Sequence, residues 1–211
     1  MEIKHPLSVI DGRKIPIKDA FSWILHYFNP NKKTPELMSY IIDCTCGQMI
    51  MWHKKDLGIF NITTNDINSN VKADFHYNVT KLDKHIQNNV FDIGIYDPPY
   101  INLKNRKDSE KYEKAFQYNQ MKDIEQLEQV TRDSSLSISN LLNKYGILIA
   151  KITDFHYNNR IRGHHDFINW FKDFYLWDIV IYRFYKPIPN LNFYNKKCAK
   201  THSYFLIFKK K

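Results

Sequence analysis

Residues 91–100 read FDIGIYDPPY. The first six are near-continuously apolar, as a strand buried on both faces is. They run into an acid, two prolines and an aromatic. A proline fixes its own φ and restrains the residue before it, so Asp97 and Pro98 are held extended, and neither proline carries an N–H. The Asp97 carboxylate and the Pro98 carbonyl become two rigid acceptors at the mouth of a strand, with Tyr100 supplying a flat face nearby. The set suits an exocyclic amine with two protons, one for each acceptor, on a ring stacked against the aromatic. Such an amine, on adenine C6 or cytosine C4, is a poor nucleophile because its lone pair is delocalised into the ring. Two acceptors favour a pyramidal nitrogen and stabilise the positive charge that develops on it. This is electrostatic preorganisation of the oxyanion-hole type with the sign reversed. A carboxylate counts for more in a dry pocket than in water. The competing reading is a plain turn closing a strand.

Helices and strands alternate on either side of this stretch. Residues 18–29, KDAFSWILHYFN, place Phe21, Ile24, Leu25 and Phe28 at helical spacing. Asn29-Pro30-Asn31 stops that helix. SYIIDC (39–44) reads as a short strand ending in an acid; Gly47 follows, and MIMWHKK begins a helix. LGIFNIT (57–63) reads as a second strand, with Asp66 just beyond it. A long helical pattern covers 121–144 (Ile124, Leu127, Val130, Ile138, Leu141, Leu142) and Tyr145-Gly146 ends it. GILIAKI (146–152) is a strand and HHDFINWFKDF (164–174) a helix. WDIVIYRFY (177–185) and HSYFLIFKK (202–210) form an antiparallel hairpin with a long connection. The alternation predicts an α/β fold: a mostly parallel sheet covered by helices on both faces, with the antiparallel pair at one side. Ligands of such a sheet sit beyond the carboxyl ends of its strands. Asp43, Asp66 and Asp97 all fall there.

The chain of 211 residues shows no internal repeat and no low-complexity linker, and is read as a single domain, 1–211. Its formal net charge of +9 points to a polyanionic partner, nucleic acid first. Three cysteines, Cys44, Cys46 and Cys198, an odd and small number, argue against a disulfide framework and for a reducing, cytoplasmic setting. Neither the cysteines nor the His164-His165 pair has zinc-site spacing, so no metal is expected. MEIKHPLSVI lacks the apolar run of a signal peptide, and no stretch is long enough to span a bilayer.

Asp97-Pro98-Pro99-Tyr100 at a strand end resembles the fourth motif, D/N/S-P-P-Y/F/W, of S-adenosylmethionine-dependent amino-methyltransferases. The chain most resembles small phage and prophage DNA methylases of the adenine-N6 type, over most of its length and in order. The resemblance implies a Rossmann-like methyltransferase fold, with a seven-stranded sheet and a reversed terminal strand. It implies S-adenosyl-L-methionine as cofactor and Asp97, Pro98, Pro99 and Tyr100 as catalytic residues. Asp43-Cys44-Thr45-Cys46-Gly47 stands where the family has its glycine-rich cofactor loop, D-P-x-x-G-x-G, with Cys44 in place of proline and Met49 in place of the last glycine. Asp43, Thr45, Cys46 and Gly47 are thereby assigned to the cofactor. Asp66 stands where the family's acid holds the ribose hydroxyls. Its distance from Asp43 also fits the spacing of a ribose acid on physical grounds. Asn78 and Val79, in NVTKL, resemble the segment flanking the cofactor's adenine; Asp74 is a rival for the acceptor role of Asn78. Thr201-His202-Ser203-Tyr204-Phe205 resembles the family's tail.

Reaching an adenine amine inside a duplex requires flipping the base, and holding the backbone requires Lys and Arg. The preferred binding set is Arg183, Lys186, Lys196, Lys197 and Lys200, in a connection near 186–201 almost free of acids and carrying Phe193 and Tyr194. Lys104, Arg106, Lys107, Lys111 and Lys114, near 101–120, are mixed with Asp108, Glu110 and Glu113 and read equally as a solvated helix face. Asn159-Arg160-Ile161-Arg162-Gly163 is a third candidate. Adenine N6 in DNA, expected as the duplex that a flipping enzyme meets, is the leading target. Cytosine N4 in DNA, an amine in RNA, and a non-catalytic basic nucleic-acid-binding protein on the same fold are the alternatives.

Overall fold

The computed structural model describes residues 8–31, 38–98, 121, 123–158, 160–184 and 202–211. In chain order its elements are β1 (Val9–Asp11), α1 (Ile17–Phe28), β2 (Tyr40–Asp43), β3 (Asn61–Thr64), β4 (Phe91–Tyr96), α2 (Ile124–Leu141), β5 (Leu142–Ile152), β6 (Phe155–Tyr157), β7 (Arg160–Arg162), α3 (His164–Trp170), β8 (Phe174–Arg183) and β9 (His202–Lys210). Among the described residues, seven strands form one sheet in the order β1-β8-β9-β5-β4-β2-β3, and β6 pairs with β7.

Every residue of β4 is buried, as its apolar run requires. Its one acid, Asp92, is satisfied at both oxygens: the Tyr40 N–H donates to Oδ2 (2.9 Å) and Asn143 Nδ2 to Oδ1 (2.6 Å). β4 runs parallel to β2 on one side and to β5 on the other, and β2 runs parallel to β3. The chain leaves β2 toward one edge and returns at β4 on the other side, so β2 and β4 flank the switch point where open α/β sheets bind ligands. β9 lies antiparallel to both β5 and β8, and β1 parallel to β8. This is the mostly parallel seven-stranded sheet with one reversed strand that was expected.

Helix α1 covers one face with Phe21, Ile24, Leu25 and Phe28, packed on Ile41, Ile93, Ile95, Ile149 and Phe205. Helices α2 and α3 cover the other through Leu127, Ile138, Leu141, Phe167 and Trp170, against Ile42, Tyr96, Leu148 and Leu206. The buried side of α2 is rich in hydroxyls. Thr131 donates to the Leu127 carbonyl (2.8 Å) and Ser134 to the Val130 carbonyl (2.7 Å), so these side chains enter the core already hydrogen-bonded.

Several boundaries differ from expectation. MIMWHKK is not helical: Gly47 and Met49 both adopt positive φ, +50° and +53°, which coils 47–55 into turns. Residues 57–58 belong to a short 3₁₀ turn, Asp56–Gly58, so the second strand starts at Asn61. Helix α2 ends at Leu141, where extended Leu142 already pairs with Phe91. Tyr145-Gly146 therefore lies inside β5 and does not end the helix. Helix α3 stops at Trp170, and β8 begins at Phe174 and ends at Arg183. Strands β1, β6 and β7, each of three residues, were not anticipated.

Candidate active site

The three acids meet at the carboxyl edge of the sheet. Asp43 closes β2. It is buried, and Trp52 Nε1 donates to its Oδ2 at 2.7 Å while the Thr45 N–H reaches Oδ1 at 3.3 Å. Burial pushes its carboxyl up to about 7 against those two hydrogen bonds, with added repulsion from Asp97 and Asp66. The Asp43–Trp52 bond is why the loop after β2 turns back on itself instead of entering a helix. Burial also pushes the Cys46 thiol up to about 12 and the Cys44 thiol well above its ordinary value, so both are packing groups and not nucleophiles.

The Gly47 N–H donates to Asp66 Oδ2 at 2.8 Å. A Cβ at Gly47 would meet no atom within 4 Å, so the backbone there is open to a ligand. The other Asp66 oxygen accepts from the Asn68 N–H at 2.9 Å. Asp66 thus ties the β2 loop to the end of β3. Each of its oxygens keeps a further lone pair for a hydroxyl donor. Asn78 caps a 3₁₀ turn, Val79–Lys84, and its Oδ1 accepts from both the N–H and the Oγ1 of Thr80, each at 3.0 Å. Asp74 Oδ2 accepts from the Thr64 N–H (2.8 Å) and Oγ1 (2.7 Å). Both rivals for an adenine amine therefore already hold their own loops. Val79 packs partly buried against the core below α2.

Asp97 follows β4 directly. Its N–H donates to Thr45 Oγ1 at 2.9 Å, which fastens the β4 end to the β2 loop. Its carboxylate meets a residue that the sequence reading passed over: Lys151 Nζ donates to Asp97 Oδ2 at 2.7 Å. Lys151 belongs to β5, opposite Phe205 of β9. The signal was a lone lysine in the apolar run GILIAKI. Pro98 is buried; Pro99 and Tyr100 lie outside the described residues.

Of the basic residues, Arg183 ends β8 at the same edge of the sheet, exposed, and pairs in register with Asp11 and His202. Lys186, Lys196, Lys197 and Lys200, and the whole 101–120 segment, lie outside the described residues. Arg160 is exposed on β7, whereas Arg162 is committed to Asp166 (2.7 Å). The tail motif divides between the sheet faces. Tyr204, opposite Ile152, donates to Asp154 Oδ2 (3.2 Å), and His164 Nδ1 contacts Asp154 Oδ1 at 2.7 Å. Ser203 points to the other face, that of Phe205 and Lys151, and its buried Oγ has no hydrogen-bond partner. Among the described residues no group of three or more His, Cys, Asp or Glu side chains is placed to hold a metal ion, and no helix is long and apolar enough to cross a membrane.

The fold is a Rossmann-like methyltransferase fold. It is similar to that of the N-methyltransferase NodS from Bradyrhizobium japonicum WM9, in complex with S-adenosyl-L-homocysteine: TM-score 0.55, 10% identity, covering 94% of this chain and 90% of that one. It is also similar to a 1,6-didemethyltoxoflavin-N1-methyltransferase from Burkholderia thailandensis, with 1,6-didemethyltoxoflavin and S-adenosylhomocysteine bound: TM-score 0.51, 10% identity, 94% and 80% covered. At such identities the likeness speaks for the fold alone. No protein-family model matches the sequence, and no curated protein matches it.

Proposed function

We propose that the protein transfers a methyl group from S-adenosyl-L-methionine to the exocyclic N6 amine of adenine in DNA. The observation that carries this reading is Asp97. It follows the fully buried strand β4 directly at the switch point, is fastened through its backbone to the β2 loop, and is followed by a buried proline.

The β2 loop fits the cofactor. Gly47 leaves the backbone open and Asp66 stands 2.8 Å from the Gly47 nitrogen with lone pairs to spare for ribose hydroxyls; Asn78 and Val79 are assigned to the adenine end. When bound, the cofactor supplies an electrophilic methyl carbon on a sulfonium sulfur. Asp97 and the Pro98 carbonyl accept hydrogen bonds from the two N–H groups of the flipped amine, which turns its lone pair out of the ring. As the nitrogen takes on positive charge, the Asp97 carboxylate stabilises it more than it stabilised the neutral amine, and only such a difference raises the chemical rate. Tyr100 stacks on the base. The basic residues from Arg183 to Lys200 hold the phosphates.

The decisive assay incubates the protein with labelled S-adenosylmethionine and double-stranded DNA, single-stranded DNA or RNA, digests the product and identifies the modified base. N6-methyladenine in DNA is expected. N4-methylcytosine or a methylated RNA base redirects the substrate. No transfer to any of them leaves the non-catalytic binding protein.

A further inference from the structure

Lys151 has no role in the reading above, yet a largely buried charged side chain near the carboxyl end of β5 requires one. Its neighbours in β5, Ala150 and Ile152, are fully buried, and its own side chain is 18% exposed. Taking an ammonium that far out of water is unfavourable unless a partner compensates it. The partner is Asp97. Resting on the proposed amine methylation, we propose that Lys151 is a positioning residue. It fixes Asp97 as a one-sided hydrogen-bond acceptor and restricts the site to neutral, ring-conjugated amines, excluding alkylammonium substrates.

The geometry has two parts. Thr45 Oγ1 accepts from the Asp97 N–H and Lys151 Nζ donates to Oδ2, so backbone and one carboxylate oxygen are both held. These two contacts restrain the rotation of the carboxylate. Among the described residues none donates to Oδ1, and that oxygen is left for a proton of the substrate amine.

The charge balance at the edge supports the restriction. The Lys151 ammonium compensates Asp97. Asp66 has both oxygens on backbone N–H groups. Asp43 is buried behind Trp52 with its carboxyl pushed up to about 7. Among the three acids, Asp97, the one that would face the reacting nitrogen, is paired with a cation. An alkylammonium ion placed against Asp97 would lose its water beside the Lys151 ammonium and meet a carboxylate whose charge is already compensated. A neutral amine conjugated to a ring needs only an acceptor, and Oδ1 is one.

The test measures single-turnover methyl transfer to DNA at saturating cofactor. Lys151→Met should lower the rate about 100-fold, the cost of misplacing a reacting group by roughly an ångström. Cofactor affinity, read by calorimetry, should change by no more than about twofold. Lys151→Arg, which keeps the charge, should recover at least part of the loss. In an Asp97→Asn background, adding Lys151→Met should change the rate by no more than about twofold, because groups that act as a unit are not additive. Wild-type protein should leave butylamine and spermidine unlabelled. A Lys151→Met rate equal to or above wild type, or full additivity with Asp97→Asn, overturns the positioning role. Labelling of the alkylamines as fast as DNA overturns the restriction. If Lys151→Met does not fold, Lys151→Gln carries the same comparison. Wild-type protein that labels no nucleic acid defeats the underlying function instead, and that arm is run first.

Discussion

Asp43 is an acid that the folded chain prefers uncharged. Its folded value of about 7 stands above its ordinary 3.8, with burial as the main cause. A carboxyl raised on folding contributes its stability fully below about pH 4 and loses it as the pH climbs through about 7. Asp43→Asn keeps an acceptor for Trp52 and cannot ionise. Its stability relative to wild type should therefore improve steadily between pH 4 and pH 8, measured by urea denaturation across that range; parallel curves would show that Asp43 does not titrate there. Asp97 makes the kinetic counterpart. Asp97→Ala should slow methyl transfer by two or more orders of magnitude, about the loss on removing one preorganised electrostatic group, with cofactor affinity retained. Asp97→Asn, which keeps an acceptor oxygen, should lose less. An Ala variant as fast as wild type would reduce Asp97-Pro98-Pro99-Tyr100 to a strand-ending turn. Asp43 and Asp97 were legible because each stands at the end of an apolar run, and Asp66 because it lies just beyond a readable strand. Trp52 and Lys151 were not, since each acquires its meaning from a partner that only the fold brings near.

Elements with a strong pattern were readable: α1 from its apolar stripe, β4 and β9 from near-continuous apolar runs. The loop 47–60 was misread because a tertiary bond, Trp52 to Asp43, overrides its helical propensity. In the β6–β7 hairpin Asn158, which follows β6, adopts φ +47°, a turn signal that the short flanking runs obscured. Gly163 joins that hairpin to α3 at φ +138°, and a Cβ there would strike the Asp154 carboxylate. Gly163→Ala should destabilise the protein by at least about 2 kcal/mol, combining backbone strain with the displacement of Asp154 from His164 and Tyr204. Chemical denaturation of the purified variant checks this; a stability within experimental error of wild type would mean that the hairpin yields at no cost.

For the whole molecule, the +9 charge predicts binding that weakens steeply with salt. Changing Lys196 and Lys197 to Ala should weaken binding equally at all sequences and flatten the slope of log affinity against log salt by up to about two phosphate contacts. An unchanged slope moves the binding face toward the segment after Tyr100. The single α/β sheet was legible from the alternation of elements. The third place of β9 within it was not, because strand order depends on crossovers that no local pattern encodes. That place has a consequence for how the chain is made. β9 is synthesised after every other described strand, yet it joins β1-β8 to β5-β4-β2-β3. Until it emerges, the nascent chain holds two half-sheets whose facing edges, β5 and β8, are long and rich in Ile, Leu and Val. Such open edges invite pairing with other chains. The interval between the appearance of β8 and that of β9 is thus when the protein is most exposed to aggregation and most in need of a chaperone.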